Sequence, residues 1–431
     1  MHGIIQVKPG NRLRPMLIHS ASQLLTLAGG PQRGSQLGDL KIIPNGGVLI
    51  QDEKITAVGR SDELRAAYPD EPAISAEGCV VMPGFVDAHT HAIWAGDRAA
   101  EFEMRQQGKT YMEILAAGGG ILSTVRATRA APLERLLSET RRRLWTMFAY
   151  GTTTAEIKTG YGLRTAAELR MLQALIHLDA EGPLELAITF LGAHAIPPEY
   201  KDDPDEYTRL ICETMLPVLK AWWPHHAPFL EMPFVDVFCE TGAFNLEQSR
   251  CILETARQLG FPLKIHADEF DHLGGVSLAV ELGAVSADHL VATPLEEIIA
   301  LSASNTVAVA LPCTPFGLVE ERYLPARLIL DSDGLLAIAT DLNPGTAWCE
   351  SMQFAIALAC RYLHLTPAQA IAAATINAAA AIARQDRIGS IEVGKQADLL
   401  ILNVPDYRHL GYRFGVNLVN TVIKKGKVFP V

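Results

Sequence analysis

The chain has 431 residues, 49% of them hydrophobic and 20% charged, with 34 Gly, 25 Pro and seven Cys. That balance excludes a disordered chain, a collagen-like repeat and a small disulfide scaffold, and the length suffices for one large domain with a satellite. The formal net charge of -11 argues against a nucleic-acid footprint, which needs clustered basic residues, and leaves any anionic ligand to locally placed Arg or backbone N–H groups.

Residues 1–14 lack a charged start followed by an apolar run and a small-residue cleavage site, so no secretory leader is expected. The longest apolar stretches are cut by charges well before ~18 residues, which predicts no membrane span. Cys79, Cys212, Cys239, Cys251, Cys313, Cys349 and Cys360 are odd in number, and no pair has the two-residue separation of thiolate zinc sites. They read as buried thiols of a soluble, cytoplasmic protein.

Short apolar runs come next: Leu24 to Leu27, Gly47 to Ile50 and Ile55 to Val58, separated by Gly29-Gly30, Asn45-Gly46-Gly47 and Asp52-Glu53-Lys54. These are strand and hairpin signals. From about residue 81 the pattern changes to apolar runs that alternate with amphipathic stretches. Eight strands are expected: Val80 to Asp87, Thr152 to Ile157, Leu186 to Gly192, Phe234 to Cys239, Leu263 to Ala267, Val285 to His289, Val307 to Leu311 and Leu335 to Asp341. Helical patterns between them include Leu133 to Tyr150, Thr165 to Leu178, Leu246 to Leu259 and Ala326 to Leu330. Trp222 to Pro228 reads as the clearest loop. Eight β-then-α units fit a (β/α)8 TIM barrel better than a doubly wound sheet. Strands return at Ala397 to Leu402 and Thr421 to Ile423, with a turn at Lys424 to Lys427. Neither end has enough strands to bury a core alone. The expected architecture is an α/β protein: a barrel over 81–387, and a small β-sandwich built from both termini, 1–80 and 388–431.

Barrel enzymes place reacting groups at the C-terminal ends of strands. Those ends here carry Asp87-Ala-His89-Thr-His91, His194, His266-Ala-Asp-Glu269, Asp288-His289 and Asp341-Leu-Asn343. His89 and His91 are two apart on an extended segment and share a face, so both imidazoles can point at one ion. His266 and Asp341 can join them across the barrel. Imidazoles with one carboxylate, and a position left for water, suit zinc or iron. The plain structural alternatives are that Asp341 caps a helix and that His266 is a satisfied core residue.

The run Pro83-Gly-Phe-Val-Asp-Ala-His89-Thr-His91 resembles the signature of the metal-dependent amidohydrolase superfamily. Supporting segments are Glu156-Ile-Lys-Thr-Gly-Tyr161-Gly-Leu, Phe190-Leu-Gly-Ala-His194, Asp236-Val-Phe-Cys-Glu240, Ser286-Ala-Asp-His289-Leu and Ala339-Thr-Asp341-Leu-Asn343-Pro-Gly-Thr346. Gly389-Ser-Ile-Glu-Val-Gly-Lys-Gln-Ala-Asp-Leu is shared widely in the superfamily. The Tyr161 and Asn343 segments are more selective. They are similar to a branch that opens an imidazolone ring carrying a propanoate tail.

The resemblance implies hydrolysis of the ring amide of 4-imidazolone-5-propanoate to N-formimidoyl-L-glutamate, in histidine degradation. Another cyclic amidohydrolase or a deaminase with the same metal site is the alternative. It implies His89, His91, His266 and Asp341 as metal ligands. It places Arg98 on the substrate carboxylate and puts Tyr161, His194, Asn343, Gly345 and Thr346 around the substrate. Glu269 and His289 would assist proton transfer and carbonyl polarisation, with either Glu269 or Asp341 as general base. A propanoate suits the planar fork of Arg98, although Arg98 could equally pair with Asp97 or Glu101. Tyr161 could be a packed loop aromatic, and Glu269 a helix N-terminal acid. Binuclear members carry a carboxylated Lys at the end of strand four. Here that strand ends in Phe238-Cys239-Glu240, and Lys158 follows strand two instead, which points to one ion. Pro312-Cys313-Thr314-Pro315 departs from the family pattern. A homodimer acting on a small molecule is expected.

Overall fold

The computed structural model describes residues 15–110, 113 and 117–431. Residues 1–14, on which the absence of a leader was read, lie outside the described residues. The N-terminal strands are β1 (Met16–Leu25), β2 (Ile42–Gln51), β3 (Lys54–Arg60), β4 (Ala73–Ser75) and β5 (Val80–Pro83). Then follow β6 (Phe85–Asp87), β7 (Thr152–Lys158), β8 (Glu185–Ala193), β9 (Phe234–Cys239), β10 (Lys264–Ala267), β11 (Ser286–His289), β12 (Val307–Ala310) and β13 (Leu336–Ile338). The chain ends with β14 (Leu399–Leu402), β15 (Val419–Lys424) and β16 (Lys427–Pro430).

One sheet has the order β16-β15-β14-β5-β1-β2-β3, with β4 paired to β1. The two ends of the chain therefore meet at β5 and β14, which pair antiparallel from Val80 opposite Leu402 to Pro83 opposite Leu399. The β2–β3 hairpin turns at Asp52-Glu53 (φ 49 and 70°) and β15–β16 turns at Lys425-Gly426 (φ 48 and 71°). Positive φ at both central residues matches the right-handed twist of the flanking strands. Alternating residues of this sheet (Ile18, Leu24, Val48, Ile50, Val81, Leu399, Ile401, Ile423) gather into their own apolar cluster.

The second sheet is parallel, in the sequential order β6 to β13. Its ends approach through Thr90 and Leu342, where Asp341 N donates to His89 O (3.0 Å) and His91 N donates to Leu342 O (2.9 Å). The barrel is thus joined at its mouth by the backbone of the proposed ligand residues. Helices such as Leu133–Ala149, Thr165–Glu181 and Leu246–Gln258 pack their apolar faces on the outside of the strands. Among the described residues, no helix is long and apolar enough to cross a membrane.

Three expectations are corrected. Val80 to Asp87 is two strands: β5 belongs to the terminal sheet and β6 to the barrel. Gly84 makes the break, because a Cβ there would lie 2.3 Å from the Thr153 side chain, while its N–H donates to Asp398 O. Lys158 does not follow strand two; it is the last residue of β7 and is fully buried. Trp222 to His226 is not loop but the end of a helix, Leu216–His226, with Pro224 inside its last turn. Trp223 is buried with its indole N–H on Glu231 O (3.0 Å), and Trp222 stacks on His226. That apolar burial offsets the hydrogen bond Pro224 removes.

Candidate metal centre

His89 and His91 leave β6 on an extended segment, His266 lies within β10, His289 ends β11 and Asp341 follows β13. His289 and Asp341 take positive φ (82 and 52°), as does Asp268 (55°), a costly backbone state that turns these strand ends at the mouth. His89 Nε2 and His91 Nε2 each lie 3.5 Å from Asp341 Oδ1, and His266 Nε2 is 3.3 Å from His91 Nε2. Ligand atoms of His89, His91 and Asp341 lie within 4.8 Å of one another, and so do those of His89, His266 and His289. The two triads share His89, and the second places His289 beside the expected ligands.

His89 Nε2 and Asp341 Oδ1 are buried without a hydrogen-bond partner among the described residues. Buried lone pairs that converge with no protein partner are costly unless a bound group takes them, and a cation does so. The donor set, three imidazoles and a carboxylate, suits a divalent ion. Burial, and then the nearby Lys158 ammonium and the crowding of imidazoles that cannot all take a proton (His266 for His89, His194 and His266 for His91), holds both imidazoles well below their ordinary range, so they stand neutral, as metal ligation requires. His89 Nδ1 meets Asp288 Oδ2 at 2.6 Å. His266 Nδ1 lies 2.9 Å from Asp236 Oδ2, close but out of line for a full hydrogen bond. A carboxylate beside Nδ1 keeps each Nε2 aimed into the cage.

The expected substrate residues surround this cage. His194 stacks on His91 at 4.7 Å, and burial pushes its imidazole down to about 3. Tyr161 lies beside both rings (6.1 Å to His91, 5.3 Å to His194) and is buried. Its loop is held by Glu168, whose carboxylate accepts from the N–H groups of Gly160, Gly162 and Leu163. Glu269 lies 3.6 Å from His289 Nδ1; burial, and then Asp341, raises its carboxyl well above the usual range. Burial also moves Asp341 up to about 6, against the hydrogen bond from Thr314. Arg98 pairs with Glu101 through Nε (2.8 Å) and Nη2 (2.7 Å), leaving Nη1 against Gly345. Asn343 spends its amide on its own loop, donating to Asp341 O and accepting from the N–H of Gly345 and Thr346.

Several contributors were not anticipated. Thr314, in the segment that departs from the family pattern, holds Asp341. Arg105 donates to Gly345 O (3.0 Å) and ties the helix Ala99–Gln106 to the loop after β13. Beneath the cage, Lys158 and Lys264 lie fully buried among Glu156, Asp236 and Asp288. Burial opposes the charge on Lys158, but Asp236, Glu156 and Asp288 outweigh it and hold the ammonium above its ordinary range. Period-two spacing of Glu156 and Lys158 was the available signal, since both must face the barrel interior.

A parallel barrel with histidines and an aspartate converging at its C-terminal mouth defines a metal-dependent barrel hydrolase. The amidohydrolase family profile matches residues 80–429, and that of the bacterial imidazolonepropionase-like composite domain matches residues 46–70. Imidazolonepropionase of Herpetosiphon aurantiacus is 53% identical, covering 96% of each chain; that of Chloroflexus aggregans is 48% identical, covering 96% of this chain and 98% of its own. An adenosine deaminase of Xanthomonas campestris shares the fold (TM-score 0.71, 19% identity, 96% of this chain and 93% of that one). The chain belongs to the amidohydrolase family, and within it to the imidazolonepropionases.

Proposed function

We infer that the chain hydrolyses the ring amide of 4-imidazolone-5-propanoate, releasing N-formimidoyl-L-glutamate in histidine degradation. The observation that carries the chemistry is the convergence of orphaned His89 Nε2 and Asp341 Oδ1 with His91 and His266 at the barrel mouth. One divalent ion, zinc or iron, would be held by His89, His91, His266 and Asp341, and when bound it supplies a hydroxide nucleophile at neutral pH and a Lewis acid for the ring carbonyl. Arg98 would grip the propanoate through the face of its fork not used by Glu101. Tyr161 and His194 would wall the ring, and Gly345 and Thr346, in the turn that Asn343 organises, would close the opposite side. His289 would hydrogen-bond the carbonyl oxygen as charge develops there. Glu269 or Asp341 takes the proton of the attacking water as its oxygen bonds the ring carbonyl carbon, and a proton is returned to the ring nitrogen as the C–N bond breaks; Glu269, buried and held high, is suited to the return. A deaminase with the same cage would have no use for Arg98.

This reading includes the division into a composite β domain from the two ends of the chain (1–80 and 388–431) and a barrel between them (81–387), with the first boundary moved to Gly84 because β5 pairs in the terminal sheet, and a homodimer working in the cytoplasm. The decisive assay is formation of formimidoylglutamate from imidazolonepropanoate by the metal-loaded protein, with metal content measured in the same sample. A protein that holds one equivalent of metal and leaves the substrate intact would refute the assigned activity.

A further inference from the structure

The cage is braced from below by an arch of five side chains. His89 Nδ1 lies 2.6 Å from Asp288 Oδ2, and that same oxygen is 3.5 Å from Lys158 Nζ. Lys158 Nζ is 2.7 Å from Asp236 Oδ2, which is the oxygen 2.9 Å from His266 Nδ1. One ammonium thus stands between the two carboxylates that back two separate ligands. The other oxygen of each carboxylate is already taken: Ser286 Oγ donates to Asp288 Oδ1 (2.6 Å) and Val237 N to Asp236 Oδ1 (2.7 Å). Glu156 Oε1 fixes the ammonium from its other side at 2.7 Å. All of these groups are buried.

We propose that Lys158 is a positioning residue that orients His89 and His266 together and so sets the affinity of the site for its metal ion. This rests on the metal site of the proposed function. Lys158 touches neither ligand; it acts through the two carboxylates, and a rigid carboxylate on each Nδ1 keeps each Nε2 aimed into the cage. His91 lacks such a brace: among the described residues no carboxylate lies within salt-bridge range of its Nδ1, whereas His266 Nδ1, though out of line for a hydrogen bond, has Asp236 at 2.9 Å. Lys264 is a built-in comparison. It is equally buried, donates to the carbonyls of Ala88 and Ala381 (3.1 Å each) and forms an ion pair with Glu156 Oε2 (2.8 Å), but it stands 3.9 Å from Asp288 Oδ2 and has no contact with Asp236 within salt-bridge range. A lysine that merely neutralised buried carboxylates would leave the two residues equivalent.

The test strips the full-length protein of metal and measures its zinc dissociation constant by competition with a chromophoric chelator, with circular dichroism and thermal melts to establish folding. Wild type should bind one zinc; if it binds none, the metal reading fails and this inference with it. Lys158→Met and Lys158→Gln should weaken zinc binding 10- to 100-fold at unchanged stoichiometry. Lys264→Met should lower the melting temperature and change zinc affinity less than fivefold. A folded Lys158 variant within threefold of wild type, or a Lys264→Met loss as large as that of Lys158→Met, overturns the proposal. Should neither Lys158 variant fold, Asp236→Asn, Asp288→Asn and the double variant decide. Ligands coupled through one ammonium give a double loss smaller than the product of the single losses, and independent braces give the full product.

Discussion

Removing Arg98 separates recognition of the substrate tail from chemistry at the ring. In the structure its Nε and Nη2 are held by Glu101, itself buried and in contact with Ser123 Oγ (3.2 Å), so only the Nη1 side of the fork is free for a ligand. A charge-assisted hydrogen bond from that side contributes ~1.5–3 kcal/mol. Arg98→Ala should therefore lower kcat/KM for imidazolonepropanoate roughly 10- to 100-fold, chiefly through KM, with metal content unchanged. Arg98→Lys should rescue only in part, because a point charge cannot serve Glu101 and a ligand as a planar fork does. Gly345→Ala offers a second approach to the same group: its Cβ would fall 2.1 Å from Arg98 Nη1, in a backbone state that alanine adopts freely. Only the tip of the arginine needs to move, so stability should hold while KM rises. The assay is steady-state kinetics on the natural substrate and on a ring analogue without the carboxylate. Equal losses on both substrates would show that Arg98 is structural, and unchanged kinetics in both Arg98→Ala and Gly345→Ala would place the carboxylate elsewhere.

The metal reading expects chelation to abolish activity and His91→Ala to lower occupancy; two ions per chain at full activity, or full occupancy in His91→Ala, would contradict it. Glu185, at the start of β8, pairs with Arg384, Arg387 and Lys424 and so joins the barrel to the terminal sheet. Burial opposes its charge, but Lys424, Arg384 and Arg387 hold the carboxyl below its ordinary range. Its stabilisation is therefore full above the unfolded value near ~4.3 and is lost as pH falls further. Glu185→Gln should cost about 2 kcal/mol at pH 7, and melts should show the gap to wild type closing below about pH 4; a gap independent of pH would remove the charge from the account. Glu168→Gln should loosen the Tyr161 loop, because an amide nitrogen would face one of three N–H donors; a KM rise and a stability loss of ~1–3 kcal/mol are expected, and wild-type values in both would clear Glu168 of that role.

The convergence of His89, His91, His266 and Asp341 was legible because its signal is local. His89 and His91 follow a buried strand with period-two spacing, and the other strand ends carry histidine or aspartate where a barrel exposes them. The β/α alternation was legible for the same reason, since each apolar run meets its helix nearby in sequence. The bracing network was not, because Lys158, Asp236, Lys264 and Asp288 come from four strands and only the closed barrel brings them into contact. Thr314 was hidden likewise, since nothing local distinguishes it from other threonines until β12 and β13 pair. The helix Leu216–His226 was misread because its last turn contains Trp-Trp-Pro-His-His, where a proline and two histidines outweigh the apolar pattern locally. The break at Gly84 depends on Thr153, sixty-nine residues later.

That break has a consequence for synthesis. β5 lies between β1 and β14, and only Gly84 separates it from β6, the strand that leads into His89 and His91. The partner of β5 on one side is therefore made only after every barrel strand. A nascent chain with seven of its eight barrel strands paired still has His89 and His91, the first of the proposed ligands, tethered to an edge that waits for Leu399–Leu402. Domains usually fold as units in the order of synthesis; here the order is closed into a ring. A chain released between residues 341 and 399 carries all four proposed ligands yet lacks the strand that pairs with β5, the anchor of the segment leading to His89 and His91.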